Sequence, residues 1–423
     1  MNDTLTTTDT QQFVDTAFEI GSYLAREAIW DGDSCNWLGT GLEVINEQYQ
    51  IAHKTFLTDV YNGTAGIAFF LAHLYQETKD EIIKETLEGA VNQILNSEDK
   101  LPSNYSYFGG KLGVASTLIT IGDLMNRKDW SKVGWDQLFL ICSKDIQDFE
   151  IDLIGGVAGA IPVLLKHYLQ SGNQVILKAA VRCGNFLIEK ANKSTGSSWS
   201  WSAMEGQQGL TGYSHGAAGM ALALLELYHV TKDNSYYTAA MYGFNYERQH
   251  YKPQQQNWPD LRDQGGAAPG APVTCGDAWC HGAPGIALSR LRAFEITGDA
   301  SFRQEAEVAL MTTHRGVYGG LTNHNQATNF SLCHGLAGNA DILITGGQRL
   351  GKSEYLQVAQ QVGTLGINRY GNTGLAWPSG VNDPTGASPG MDFTPGLLLG
   401  IAGTGYFYLR LARPEKYKSI MLL

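Results

Sequence analysis

Two cysteines and one histidine in this sequence belong to the residue types that bind metal ions. Cys280 stands 53 residues before the adjacent pair Cys333 and His334. This separation alone is a weak metal signal, because zinc ligands usually come in short paired spacings such as Cys-x-x-Cys. Three ligands of sulfur and nitrogen would leave the fourth position of a tetrahedral zinc ion open for a water molecule or a thiol. Burial as apolar side chains is the alternative interpretation of the two cysteines.

Two further residues are of the types that move protons. A histidine can donate or accept a proton near neutral pH, and His215 is the candidate for that role. Asp152 is a carboxylate that would orient or charge this imidazole if the two lie close together. Each residue also has a structural alternative, as a hydrogen-bonded residue at a helix entry for His215 and as an N-cap or first-turn acid for Asp152.

A repeat in the sequence indicates how residues so far apart can meet. A Gly-x-x-Gly unit followed by an apolar run occurs seven times, and successive first glycines are 47, 46, 60, 66, 53 and 65 residues apart. The seven glycine pairs are Gly63/Gly66, Gly110/Gly113, Gly156/Gly159, Gly216/Gly219, Gly282/Gly285, Gly335/Gly338 and Gly400/Gly403.

Each repeat predicts a pair of helices. The stretch after the glycines is long enough for a helix and carries few charges, which predicts an inner helix buried nearly all round, and a more charged outer helix follows. Glycines at positions i and i+3 share one helical face, so we expect neighbouring inner helices to approach closely there. The variable step lengths favour a closed ring of seven hairpins, about fourteen helices, over an open solenoid. The predicted fold is therefore all-α, an α/α toroid with inner and outer helix rings.

The register of the repeat brings the candidate residues to one height. The residue before the first glycine is histidine in three consecutive repeats, at His215, His281 and His334. One position earlier, two consecutive repeats have cysteine, at Cys280 and Cys333. If every glycine pair opens an inner helix, these side chains face one central opening. The register therefore strengthens the hypothesis of a metal site. It also makes His281 a rival ligand, but a fourth protein ligand would close the site, so we interpret His281 as a near neighbour.

The composition narrows the class of protein. A formal net charge of -11 argues against binding to nucleic acid. No apolar run is long enough to span a membrane, and the N-terminus lacks the pattern of a signal peptide. Six cysteines without regular spacing do not form a disulfide scaffold. We therefore expect a monomeric cytoplasmic protein with one domain over residues 1–423.

Three runs together resemble the lanthionine synthetase C-like proteins, the lanthipeptide cyclases. They are Ser214-His-Gly-Ala-Ala-Gly219, Trp279-Cys-His-Gly-Ala-Pro-Gly285 and Cys333-His-Gly-Leu-Ala-Gly338. The resemblance extends from Asp59 to Gly403, and Asn257-Trp-Pro-Asp-Leu-Arg262 looks most like the cyclase portion of bifunctional lanthipeptide synthetases.

The resemblance implies a fold, a metal and a reaction. It implies an α/α toroid with zinc on Cys280, Cys333 and His334, and with Asp152 and His215 as acid/base residues. In the implied reaction, a precursor-peptide cysteine adds through sulfur to a dehydroalanine or dehydrobutyrine and closes a lanthionine or methyllanthionine ring. His281 and Trp279 would then be neighbours of the substrate site.

The sequence also departs from the family pattern. Stand-alone bacterial cyclases often have Tyr after the first zinc cysteine and Arg four positions before it, where this chain has His281 and Gly276. Bifunctional synthetases carry a dehydratase before the cyclase. We therefore expect either a separate dehydratase as partner or an excised or reduced form.

Two other functions remain as alternatives. Eukaryotic relatives that resemble these cyclases bind glutathione and share the Trp-Cys-His-Gly form, so a glutathione-binding or glutathione-adduct-forming protein is the first alternative. The second is a glycosidase on a helical toroid with a carboxylate pair drawn from Asp152, Glu205 and Asp260.

Overall fold

Helices make up most of the chain that the computed structural model describes, which is residues 7–45, 48–98, 101–193, 196–202, 208–262, 275–322, 329–371, 376–381 and 393–423. These ranges contain fourteen α-helices: α1 (Thr7–Glu27), α2 (Thr64–Thr78), α3 (Glu81–Asn96), α4 (Lys111–Leu124), α5 (Lys128–Cys142), α6 (Val157–Ser171), α7 (Gln174–Lys190), α8 (Ala217–Thr231), α9 (Asn234–His250), α10 (Ala283–Thr297), α11 (Ala300–Thr322), α12 (Leu336–Leu350), α13 (Ser353–Gly366) and α14 (Ile401–Ala412). A π-helix, Ile367–Gly371, follows α13 directly.

Two antiparallel hairpins precede α2, an addition to the helical repeat that the sequence pattern did not predict. Strand β1 (Ile29–Asp31) pairs with β2 (Ser34–Asn36), and β3 (Leu38–Ile45) pairs with β4 (Gln48–Thr55). All four strands lie before the first glycine pair, so they leave the helical repeat uninterrupted.

The chain packs as two compact units. Unit 1 comprises Met1–Leu101, Thr117–Gly134 and Gly316–Ile420, and unit 2 comprises Pro102–Ser116, Trp135–Arg315 and Met421–Leu423. Unit 1 contains α1 to α3 and α12 to α14, and unit 2 contains α6 to α10. The expectation of one domain over residues 1–423 stays a prediction.

The first six repeats each contain a buried helix followed by a more polar one. In α8 every residue from Ala217 to Leu227 is buried, whereas α9 buries seven of its seventeen residues. Within the units α2 packs on α3, α6 on α7, α8 on α9 and α12 on α13. The alternation that the charge pattern predicted is present in these pairs, because an apolar helix must be covered on all sides while its partner needs only one apolar face.

The two kinds of helix begin in different ways. The first glycine of the repeat is the N-cap residue of α2, α6, α8, α10, α12 and α14, without a side-chain cap. The N-cap residues of the polar helices α3, α7 and α9 are Asp80, Asn173 and Asp233, whose side chains accept hydrogen bonds from main-chain N–H groups of the first turn. These short polar side chains satisfy donors that have no partner inside the helix.

The glycine pairs have a structural reason besides the predicted close packing on a neighbouring repeat. A Cβ atom on the second glycine would lie 2.1 Å from a carbonyl oxygen six residues earlier in the same repeat, as in Gly159 over Leu153 and Gly285 over Trp279. The predicted close packing is present as well, since a Cβ atom on Gly285 would lie 2.6 Å from the Cβ atom of Tyr213 in the preceding repeat. The glycines therefore allow the loop before each buried helix to fold back over the first turn of that helix.

Main-chain hydrogen bonds join these loops to one another in unit 2. Leu153 N donates to the carbonyl oxygen of Ser214 at 3.0 Å, and Tyr213 N donates to that of Cys280 at 3.2 Å. Equivalent positions of the third, fourth and fifth repeats are thus held side by side, as the register predicted.

The same kind of bond joins the ends of the repeat array in unit 1. Cys333 N donates to Leu398 O at 3.0 Å, and Leu398 N donates to Tyr61 O at 2.7 Å. Leu398 belongs to the seventh repeat and Tyr61 to the first, and α14 packs against α2 as well as against α1. The seventh buried helix therefore takes its covering helix from the N-terminal end of the chain.

No helix within the described ranges is both long enough and apolar enough to cross a bilayer.

Candidate metal centre and proton-transfer pair

His215 and Asp152 form the closest pair of ionisable side chains in the candidate site. Nδ1 of His215 donates to Oδ2 of Asp152 at 2.5 Å, and Oδ1 of Asp152 accepts from the main-chain N–H of Gly155, also at 2.5 Å. Both carboxylate oxygens are thus committed, which holds the imidazole in one tautomer and one orientation. The proton that His215 can exchange is therefore the one on Nε2.

The environment of His215 favours its charged form. Burial disfavours the imidazolium, but the hydrogen bond and the negative charge of Asp152 outweigh this effect and raise the pKa of His215 above its ordinary value. A histidine with a raised pKa is present as the acid over a wider range of pH, so this pair is suited to donating a proton.

A buried carboxyl on α9 holds the loop that carries His215. Oε1 of Glu247 accepts from Gly212 N at 3.0 Å and from Ala218 N at 2.8 Å, on either side of His215. Burial raises the pKa of Glu247 to about 7. The sequence offered no signal for Glu247, because its partners are main-chain groups at the start of α8, about 30 residues earlier in the chain.

His281 stacks on His215 but is driven to the neutral form. The ring centroids are 5.7 Å apart and the planes differ by 26°. Nδ1 of His281 lies 3.3 Å from Thr211 O and 3.7 Å from Oδ1 of Asp260, so these oxygens assign the hydrogen to Nδ1. Burial and then the positive charge of Arg262 lower the pKa of His281 to about 4. The neutral His281 ring can therefore lie against His215 without repelling a positive charge on it.

Trp279 packs beneath the loop that precedes α10, in the interior of the protein. Its side chain is fully buried, its Nε1 donates to Met421 O at 3.0 Å, and its ring contacts Phe108 and Tyr213 edge to face. Its role as a neighbour of the substrate site stays a prediction, and packing is the function that its contacts support.

The loop that presents Cys280 is held by Asn257. Oδ1 of Asn257 accepts from Ala283 N at 2.7 Å, and its Nδ2 donates to Asp277 at 2.9 Å and to Gly276 O at 3.2 Å. Gly282 has a φ of 99°, which strongly favours glycine, and a Cβ atom there would collide with Gly276 O. Gly276 therefore lies against the turn after Cys280.

In unit 1, Cys333 and His334 each have a polar partner suited to a metal ligand. The Tyr61 hydroxyl donates to Sγ of Cys333 at 3.0 Å, a contact that stabilises a thiolate. Nε2 of His334 lies 2.9 Å from Gly380 O and donates to it, which leaves Nδ1 as the nitrogen that can bind a metal. Metal-binding histidines generally donate their second ring nitrogen in this way.

Of the three proposed ligands, Cys333 and His334 lie in unit 1 and Cys280 lies in unit 2. Thiolate sulfur and imidazole nitrogen are donors that zinc prefers, and Cys280 and Cys333 are both free cysteines. The residues therefore fit a zinc ion with one position left for another ligand.

A family comparison identifies the chain. Residues 57–422 match the model of the family described as lanthionine synthetase C-like protein. The chain belongs to the lanthionine synthetase C-like family. The predicted enzyme class, a lanthionine synthetase, is thereby confirmed at the level of the family.

Individual relatives of this lanthionine synthetase C-like chain are distant in sequence. The lacticin 481/lactococcin biosynthesis protein LcnDR2 of Lactococcus lactis subsp. lactis is 24% identical over 96% of this chain, which spans 41% of that protein. Nisin cyclase is 17% identical, with a TM-score of 0.61 over 96% of this chain and 94% of the other.

A GH76 alpha-mannanase of Bacteroides thetaiotaomicron is 13% identical, with a TM-score of 0.51 over 96% of both chains. At these identities the structural similarities show the fold alone. Together with the described helices they confirm the predicted all-α toroid.

Several residues of this site escaped the sequence analysis. Glu247 and Arg262 lie outside the repeated positions, so the register could not select them, and Asp260 was considered only as a glycosidase carboxylate. Tyr61 could have been found, because it occupies in the first repeat the position that Cys280 and Cys333 occupy in theirs. Of the carboxylates considered for a glycosidase, Glu205 lies outside the described residues.

Proposed function

We propose that this chain is a zinc-dependent peptide cyclase that adds the cysteine thiols of a precursor peptide to dehydroalanine or dehydrobutyrine residues. The products would be lanthionine and methyllanthionine thioether rings. The observation that carries the proposal is the pair Cys333 and His334, each with a hydrogen-bond partner that suits a metal ligand, in a member of the lanthionine synthetase C-like family. The hydrogen-bonded pair of Asp152 and His215 supports it further.

In this proposal Cys280, Cys333 and His334 hold the zinc ion. When bound there, zinc would supply a deprotonated substrate thiol at neutral pH, where a free thiol with a pKa near 8.5 is mostly protonated. Tyr61 and the Gly380 carbonyl orient Cys333 and His334 through the hydrogen bonds already described.

His215 delivers the proton that completes the addition. When sulfur bonds to the β-carbon of the dehydrated residue, negative charge moves to the α-carbon and its carbonyl oxygen. Protonated His215 then gives the hydrogen on Nε2 to the α-carbon, and Asp152 stabilises the imidazolium until that moment. The neutral His281 ring adds no positive charge that would lower the pKa of its neighbour.

The proposed substrate is a dehydrated precursor peptide. The relative LcnDR2 is named for the biosynthesis of lacticin 481 and lactococcin, and this chain spans 41% of it. Dehydration would be carried out by a separate dehydratase or by a further part of a longer protein. We place the reaction in the cytoplasm, because both zinc-binding cysteines and the substrate thiols must stay reduced. We also propose that the chain acts as a monomer.

Replacement of one proposed ligand tests the function. Cyclisation leaves the mass of the peptide unchanged, so the measurement is the loss of alkylatable thiol in a dehydrated peptide, combined with the zinc content of the protein. We expect Cys333→Ala to lose both zinc and ring closure, because two ligands bind zinc far more weakly than three. The matched control is Cys275→Ala, a cysteine outside the ligand group, which should retain both.

Other outcomes would contradict the proposal. Ring closure at the normal rate by Cys333→Ala would remove the metal from the mechanism. Failure of the unaltered protein to close rings, together with tight binding of glutathione, would favour the glutathione-binding alternative.

A further inference from the structure

The segment Asn257 to Arg262 is anchored at almost every residue, although the proposed mechanism does not use it. Asn257 holds the turn after Cys280. Trp258 is buried and its Nε1 donates to Glu247 O at 3.1 Å, and Pro259 O accepts from the Thr211 hydroxyl. A rigid segment placed against the loops of Cys280 and His215 is a means of fixing one side chain with accuracy.

The side chain at the end of this segment is Arg262. Its Nε lies 3.0 and 3.1 Å from the two carboxylate oxygens of Asp260, and its Nη2 lies 2.6 Å from Oδ2. Such a two-pronged ion pair fixes the plane of the guanidinium. The Arg262 side chain is 52% exposed, whereas that of Asp260 is 15% exposed. The guanidinium is therefore held from its buried side and open to solvent on the other.

A series of contacts connects Arg262 to the proton donor. Asp260 lies 3.7 Å from Nδ1 of His281, and His281 stacks on His215. The positive charge of Arg262 opposes protonation of His215. A guanidinium that weakens the acid beside it is an electrostatic cost, which indicates a use for the charge at this place.

The addition creates negative charge on the substrate, and His215 delivers its proton to the α-carbon rather than to the carbonyl oxygen. As the sulfur to β-carbon bond forms, the π bond between the α- and β-carbons breaks and its electron pair moves through the α-carbon onto the carbonyl oxygen. The thiol proton has left to solvent, and the proton from His215 then reaches the α-carbon. No group leaves and nothing is oxidised. The transient charge on the oxygen is where preorganised donors stabilise a transition state most.

We infer that Arg262, held by Asp260, donates hydrogen bonds to the carbonyl oxygen of the dehydrated residue as the thiol adds. Arg262 is in this view a catalytic residue, and Asp260 is the residue that positions it. The ligand class is an α,β-unsaturated carbonyl compound, the dehydroamino acid in its peptide. This inference rests on the proposed cyclase function and adds a residue to it.

The test measures kcat, KM and zinc content for variants at this position. We expect Arg262→Gln to lower kcat on the order of 100-fold with little change in KM, because a transition-state interaction is lost. Zinc content should stay at the level of the unaltered protein. Arg262→Lys should recover part of the rate, and Asp260→Asn should lower kcat less than Arg262→Gln does. The matched control is Arg303→Gln, an exposed arginine that also pairs with a carboxylate.

Chemical rescue provides a measurement that a structural role would not affect. In Arg262→Ala, added guanidinium should restore part of kcat, whereas urea, which has a similar shape but no charge, should not. Normal kcat in Arg262→Gln, loss of zinc in that variant, or equal rescue by urea would each overturn the inference while leaving the cyclase function in place. If the unaltered protein closes no rings, the proposed function and this inference both fall.

Discussion

At the scale of single residues, the pKa values of two stacked imidazoles are shifted in opposite directions. His215 has a carboxylate oxygen at 2.5 Å, and its pKa is raised despite burial. Nδ1 of His281 lies 3.7 Å from a carboxylate oxygen of Asp260, which is paired with Arg262, and the pKa of His281 falls to about 4. Because Coulomb energy falls with distance and burial penalises any charge, this difference in contact decides which ring becomes the acid.

The pH dependence of ring closure follows from the pair of Asp152 and His215. The acid form of His215 is present below its pKa and is lost as pH rises through it, so the rate should fall on the alkaline side. Asp152→Asn removes the negative charge that raises this pKa, and the fall should then begin at lower pH. We also expect a loss on the order of 100-fold at neutral pH. The measurement is a pH–rate profile of thiol disappearance.

Asp148 provides the control for this profile. Its side chain is highly exposed and pairs with Lys190, so Asp148→Asn should leave the pH–rate profile unchanged. An alkaline limb that does not move in Asp152→Asn would show that His215 is not the titrating acid.

At the scale of elements, the glycine pairs determine where each buried helix starts. The carbonyl oxygen of the preceding loop occupies the space that a Cβ atom on the second glycine would need. The loop is thereby pressed against the helix N-terminus, and main-chain bonds such as Val157 N to Glu150 O at 3.1 Å close it. The candidate site residues of the repeat lie in these loops, so the glycines determine how far these residues lie from the helix N-termini.

A methyl group at one of these glycines should destabilise its repeat. In Gly159→Ala the new Cβ atom would lie 2.1 Å from Leu153 O, and we expect a loss of about 1–3 kcal/mol in the free energy of unfolding. The matched control is Gly319→Ala in α11, where a Cβ atom meets nothing within 4 Å. This control should be neutral or stabilising by up to about 1 kcal/mol, since alanine favours the helix. Urea unfolding of both variants decides the matter, and equal stability would contradict the steric explanation.

At the scale of the whole molecule, the two ends of the chain complete the array of helix pairs. The last buried helix, α14, has α1 as its covering partner, and Leu398 before α14 bonds to Tyr61 before α2. Phe13 of α1 is 2% exposed and its ring centroid lies 6.0 Å from that of Tyr408. The seventh pair therefore joins residues from opposite ends of the sequence, and its formation requires long-range closure.

Truncation of this aromatic contact should destabilise the protein as a core substitution does. We expect Phe13→Ala to lower the free energy of unfolding by about 3–5 kcal/mol, because it leaves a cavity between α1 and α14. Phe149→Ala, at a side chain that is 58% exposed, should change it by less than about 1 kcal/mol. Thermal unfolding of the full chain measures both, and a small effect of Phe13→Ala would mean that α1 is not needed to cover α14.

The sequence by itself determined the repeat, the buried and polar character of the helices, and the candidate residues at equivalent positions. These features are local or periodic, so a glycine pair, an apolar run or a Cys-His step can be read without knowing what surrounds it. Cys280, Cys333, His334 and His215 were selected in this way.

Only the tertiary structure decided which side chains act on one another. Glu247 accepts hydrogen bonds from the loop of His215, and α1 pairs with α14, although these groups are distant in sequence. The repeat pattern also did not select the ion pair of Asp260 and Arg262. The opposite pKa shifts of His215 and His281 depend on contacts of a few ångströms, and both residues look alike in the repeat. Burial and Coulomb interactions vary steeply over such distances, so the repeat pattern carries no record of them.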